Sequence, residues 1–96
     1  MRPVELTTKV VALEILASPR RHGIPEDDIR HAINNAIAAI NAPHQPDFVM
    51  LIGPSSSMTL LEVGVLSADD NDYVIHAMPA RQKYLKMIEP RRGDER

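Results

Sequence analysis

Residues 25–54 read PEDDIRHAINNAIAAINAPHQPDFVMLIGP, and the fold turns on where a helical period in this stretch gives way to an alternating one. Ile29, Ala32, Ile33, Ala36, Ile37 and Ile40 recur three or four residues apart, the spacing of one face of an α-helix. Arg30, His31, Asn34, Asn35 and Asn41 fall largely on the opposite side. Pro25 suits a first helical position, and Glu26, Asp27 and Asp28 complement the positive end of the helix dipole. The period predicts a helix from about residue 25 to Asn41, with Pro43 beyond it. From Phe48 the period becomes two: Phe48, Met50 and Ile52 alternate with Val49 and Leu51 until Gly53-Pro54, which reads as a strand running into a turn.

Towards the N-terminus, Leu6, Val10, Leu13 and Ala17 also recur at helical spacing, widened by Val11, Ile15 and Leu16. They predict a first helix over residues 8–17, capped by Thr7 or Thr8 and ended by Pro19. Arg20, Arg21 and His22 then stand beside Gly23, a residue suited to a left-handed stop, where cations favour a helix C-terminus. Towards the C-terminus, residues 58–66 predict a second strand, with Leu61, Val63 and Val65 on one face and Leu60, Glu62 and Gly64 on the other. Residues 67–72 predict a polar loop and residues 73–78 a third strand. Pro79 can open a last helix over residues 80–88, and residues 89–96 predict a disordered charged tail. The expected fold is α+β, one domain over residues 1–88, with two N-terminal helices, a three-stranded antiparallel meander and a C-terminal helix.

Composition narrows the function classes. Ninety-six residues make one domain, enough to bury roughly three-fifths of the unfolded chain's surface. Without cysteine there is no disulfide, thiolate metal site or cysteine nucleophile. No apolar run approaches the ~20 residues of a membrane span, and Glu5, Lys9 and Glu14 interrupt a signal-peptide pattern, so a cytoplasmic protein is expected. The net charge of −2 conceals an asymmetry. Residues 23–80 hold eight acids against one base, whereas residues 81–96 hold six bases against three acids. A basic end on an acidic domain can meet a polyanion locally, or it can simply solubilise a helix and tail.

The chemistry-bearing residues gather in residues 73–85, YVIHAMPARQKYL, where a strand stops at a proline and passes into a helix. His76 precedes the proline; Arg81, Lys83 and Tyr84 follow it. By simple alternation His76 shares a face with Val74 and Met78. A histidine, whose ordinary titration lies near neutrality, beside phosphate-binding cations is a workable kit for cutting RNA. One group activates the 2′-hydroxyl, a cation steadies the phosphorane and an acid protonates the leaving oxygen. The first turn of the following helix offers N–H groups to an anion. No metal is required, and the four histidines (22, 31, 44, 76) show no close ligand pair, so neither metal nor cofactor is expected. His31 and His44 read as polar-face and loop residues, and the serine run at 55–57 lacks a nucleophile elbow. A solvent-facing strand histidine is the plain alternative for His76.

His22-Gly23-Ile24 ahead of an acidic-start helix, an Ile-Gly strand end (Ile52-Gly53), a meander, and a last strand closing on Ala77-x-x-Ala80-Arg81 together resemble the BrnT-like toxins. These belong to the RelE/ParE superfamily of bacterial toxin–antitoxin systems, and the wording HGI-x-x-x-DI-x-HA and VIHAM-x-x-R-x-K-Y resembles small actinobacterial proteins associated with that superfamily. The resemblance spans residues 20–85. It implies a RelE-like fold and an intracellular, metal-independent endoribonuclease that blocks translation and is neutralised by a cognate antitoxin, often of ribbon-helix-helix type. It places a family arginine on Arg81, a basic residue on His76 and a Lys-His-Gly motif on Arg21-His22-Gly23. Pro79 stands where the family has serine, and Glu14 and Ser18 stand where it commonly has lysine and asparagine.

Two functions follow as expectations. In the first, His76, Arg81 and Tyr84 are catalytic, and Lys83, Lys86, Arg21 and His22 bind RNA. In the second, the chain is a catalytically silent module that binds a partner protein or itself as a homodimer. The acidic middle and the scarcity of aromatics for base stacking favour the second.

Overall fold

The structure, a computed structural model, describes residues 13–17 and 21–88. Strand β1 (Leu13–Ile15) is followed by helix α1 (Glu26–Asn34), four strands β2 (Ala38–Ala42), β3 (Gln45–Pro54), β4 (Leu60–Ala68) and β5 (Asn71–Pro79), and helix α2 (Gln82–Ile88). The five strands form one mixed sheet in the order β1-β5-β4-β3-β2. β2 to β5 run as an antiparallel meander, and β1 joins β5 in parallel, Leu13 opposite Asp72 and Ile15 opposite Val74.

This architecture corrects the expected RelE-like one of two N-terminal helices, a three-stranded meander and a C-terminal helix. Residues 13–15 of the expected first helix are an edge strand, with Leu13 and Ile15 half-buried and Glu14 exposed between them. Residues 8–12 of that helix, Pro19 and the expected tail at 89–96 lie outside the described residues. The expected helix to Asn41 stops at Asn34. Asn35 turns its side-chain amide onto the His31 carbonyl at 2.8 Å, and its backbone N–H bonds the same oxygen at 3.0 Å. The asparagines thus act as a stop, as their competition for backbone partners favours. Ile37 then donates its N–H to Ile52 at 2.7 Å, and residues 38–42 alternate between half-buried and exposed along β3. The last helix begins at Gln82, because Pro79 is still paired with Leu61 in the sheet and Ala80 donates to the Leu60 carbonyl at 2.9 Å.

One face of the sheet carries the main core. Ile29 and Ala32 of α1 pack on Leu61, Val63, Val65, Val74 and Ala77, with Leu13, Ile15, Val49 and Leu51 at the margin. Gly53 permits that contact: a Cβ there would lie 2.1 Å from the backbone oxygen of Ala32. The turn of residues 55–59 is tied to α1 by the Asp28 carboxylate, which accepts from the Ser56 N–H and hydroxyl; that hydrogen bonding holds its pKa below the ordinary carboxylate value. The β4–β5 turn places Asp69 and Asp70 at φ 53° and 68°, the signature of the tight hairpin turn that matches strand twist.

An irregularity in β5 decides what the other face carries. Gly64 pairs with His76 but Val65 pairs with Val74, so Ile75 is an extra residue in β5. Val74 and Ala77 consequently both reach the core, although they are three residues apart. His76 therefore shares its face with Met78, Glu62 and Gly64, and not with Val74 as simple alternation predicts.

Candidate functional site

β4 reads LLEVGV at residues 60–65, a single acid in an otherwise apolar run. Glu62 is 0% exposed. Isolated burial of a carboxylate costs several kcal/mol, so its partners define the site. They all come from the β5–α2 junction. The Arg81 backbone N–H donates to Oε1 at 2.9 Å, Nε donates to both carboxylate oxygens at 3.1 Å, and Nη2 donates to Oε2 at 2.7 Å. His76 Nε2 lies 2.8 Å from the same Oε2. Among the described residues, no buried side-chain polar atom is left without a partner.

Burial pushes the Glu62 carboxyl up. The hydrogen bonds from the Arg81 side chain and backbone and from His76, with the Arg81 charge, outweigh it, and the net shift is downward. The hydrogen bonds that Arg81 donates to Glu62 raise its guanidinium in turn, against an opposing effect of burial. An ionised carboxylate only accepts, so Nε2 of His76 carries the proton that points at Glu62. In neutral His76 the lone pair then lies on Nδ1, a proton acceptor whose tautomer is set by the buried acid.

Glu62 thus holds a histidine and a guanidinium side by side. The His76 side chain is 18% exposed and that of Arg81 46%, so both reach the surface while their anchor does not. Gly64 opposite His76 keeps the neighbouring position narrow, since a Cβ there would meet the Phe48 ring at 2.7 Å. Comparisons with protein-family models, curated proteins and solved structures return no match.

The structure brings together most of the residues expected at the site. His76 and Arg81 meet on Glu62, and Tyr84 follows within the first turn of α2, its ring centroid 5.5 Å from the Arg81 guanidinium carbon and 5.0 Å from Lys83 Nζ. Such distances make Tyr84 a platform for two cations. Lys83 and Lys86 are exposed. His22, on the loop before α1, brings its ring 6.0 Å from that of His76, edge to face at 81°.

Arg21, expected to bind RNA, turns Nη2 back onto the Ile24 carbonyl at 3.0 Å and closes its own turn. The Arg81 N–H, just ahead of the last helix at Gln82, is taken by Glu62. His31 donates from Nδ1 to the Pro54 carbonyl at 2.8 Å, tying α1 to the end of β3. Glu62 is the site residue that sequence reasoning missed. Its signal was present as a lone acid among five apolar or glycine neighbours, on the strand face shared with Gly64.

Among the described residues no group of three or more His, Asp or Glu is arranged to hold a metal ion. No helix among them is long and apolar enough to cross a membrane.

Proposed function

We propose that this chain is a metal-independent endoribonuclease that cuts single-stranded RNA, acting in the cytoplasm as the translation-blocking toxin of a toxin–antitoxin pair. The observation that carries the reading is the buried Glu62 carboxylate holding His76 and Arg81 together at 2.8 and 2.7 Å. Nδ1 of His76 takes the proton of the 2′-hydroxyl, whose oxygen attacks the adjacent phosphorus. Arg81, with Lys83 nearby on Tyr84, faces the charge that builds on the phosphoryl oxygens. Positioned proton transfer of this kind contributes about 10²–10⁴-fold. The resemblance of residues 20–85 to BrnT-like toxins supplies the biological setting, including a cognate antitoxin of ribbon-helix-helix type as partner.

Induced expression in a bacterial host, followed by primer extension on total RNA, tests this. Growth arrest with discrete new 5′ ends is expected, and His76→Ala is expected to relieve both while the variant remains folded. Arrest that persists unchanged in His76→Ala would remove His76 from the mechanism. A second measurement addresses the cations. If Arg81, Lys83 and Lys86 each contact a phosphate, log affinity for single-stranded RNA should fall with log salt at a slope of about −2. A flat response points away from RNA.

The acidic balance of residues 23–80 favours the second reading, a catalytically silent module that binds a protein partner or a second copy of itself. It gives no arrest and no new 5′ ends, together with a co-purifying partner or a stable homodimer.

A further inference from the structure

Protonation of the leaving oxygen is the half of the reaction that His76 and Arg81 leave open. We infer that His22 is a further catalytic residue, the general acid opposite His76, and that Arg21 is the positioning residue that sets it there; this rests on the RNA-cleavage reading above.

The geometry of the short turn at residues 21–24 carries the assignment. Its backbone closes with the Ile24 N–H donating to the Arg21 carbonyl at 2.9 Å. The Arg21 guanidinium closes it a second time by donating to the Ile24 carbonyl at 3.0 Å. Between these two bonds His22 and Gly23 both adopt left-handed backbone, φ 51° and 73°. Glycine takes that conformation freely, and histidine takes it more readily than most side chains, so the two together suit this tight turn. The effect is to bring an exposed imidazole from the loop ahead of α1 to a residue three positions from the end of β5, with ring centroids 6.0 Å apart. Tyr84 is less suited to the role, because its ring faces Arg81 and Lys83.

The two histidines also differ in the way an acid–base pair requires. His76 is bonded through Nε2 to the buried Glu62, which leaves Nδ1 as acceptor. His22 has no such carboxylate partner among the described residues and is exposed, open to serve as the proton donor. In the balanced step, the 2′-oxygen loses its proton to His76 Nδ1 and forms a bond to phosphorus. The bond from phosphorus to the 5′-oxygen breaks, and that oxygen takes its proton from the His22 imidazolium. One proton enters the protein and one leaves, so no oxidant, reductant or metal is consumed.

Cleavage of two probes by the full chain tests the assignment: a dinucleoside monophosphate with a ribose 2′-hydroxyl, and a p-nitrophenyl ester of a 3′-nucleotide. The second probe has a leaving group acidic enough to depart unprotonated. His22→Ala is expected to slow the dinucleotide by about 100-fold and the aryl ester by less than threefold, whereas His76→Ala slows both. Arg21→Ala is expected to reproduce the selective defect in part, and Arg21→Lys to restore some of it. Equal loss on both probes in His22→Ala would reduce His22 to a structural or binding residue and overturn the assignment. Unchanged cleavage of both probes would overturn it as well, leaving the RNase reading intact. A wild-type protein that cleaves neither probe overturns both together.

Discussion

Replacing Glu62 by glutamine is expected to destabilise the fold by about 3 kcal/mol, the range for removing one partner of a buried ion pair. Glutamine keeps the volume but presents an amide donor to Arg81 and His76, which are donors themselves, in a position that is 0% exposed. For a domain of this size such a loss lowers the thermal midpoint by about 15 °C, which circular dichroism melting will read directly. A midpoint within a few degrees of wild type would mean that Glu62 is not the anchor described here. The same carboxylate gives the fold a signature in acid. Folding holds Glu62 below the ordinary glutamate value of 4.5, so its contribution is complete at neutral pH. It declines as the pH drops below that value and is lost on passing the lower folded-state pKa, because the unfolded chain takes up its proton first. Glu62→Gln should therefore flatten the wild-type decline of stability in that window.

Gly53→Ala is expected to destabilise the protein by a comparable amount, about 3 kcal/mol, the upper part of the range for forced overpacking. The added Cβ would stand 2.1 Å from the Ala32 oxygen and 3.1 Å from the Ala36 Cα. Both belong to α1 or the segment leaving it, so backbone has to move where a flexible side chain could have yielded. α1 would lift from β3 and β4, opening the contact of Ile29 and Ala32 with Leu61 and Val63. Denaturant unfolding will show a lower midpoint with little change in slope if the variant still folds as one unit. Unchanged stability would contradict the close packing of α1 on the sheet.

The misreading of residues 35–42 has a physical origin. Ala36, Ile37 and Ile40 continue the helical period of Ile29, Ala32 and Ile33, but Ala38, Ile40 and Ala42 fit an alternating one equally well. Local pattern cannot separate the two. The pairing with β3, Ile40 opposite Met50, decides it. Two asparagines in succession were the local clue, since their side chains compete for backbone partners and weaken a helix interior. Residues 13–15 became a strand by the same route, through a parallel partner 59 residues away that no local signal announces. The extra residue at Ile75 was likewise invisible, because a bulge is defined by the partner strand.

The site was more legible than the fold. The strand–proline–helix junction put His76 and Arg81 within reach of one carboxylate even though the expected architecture around it was wrong. That junction is local in sequence, and β4, which supplies Glu62, is the hairpin partner of β5. The face shared by Leu60, Glu62 and Gly64 was also readable from alternation. What alternation did not convey is that Glu62 is buried there, because burial depends on what Arg81 and His76 cover.

In the proposed function, Glu62 arms His76 and Arg81 for RNA cleavage without metal. The most direct measurement incubates the purified chain with labelled single-stranded RNA in excess EDTA, beside His76→Ala matched for circular dichroism and melting temperature. Wild type is expected to cut the RNA in EDTA, and the variant to be slower by at least about 100-fold. RNA left intact by the wild-type protein, or cut at equal rates by the two, would contradict it.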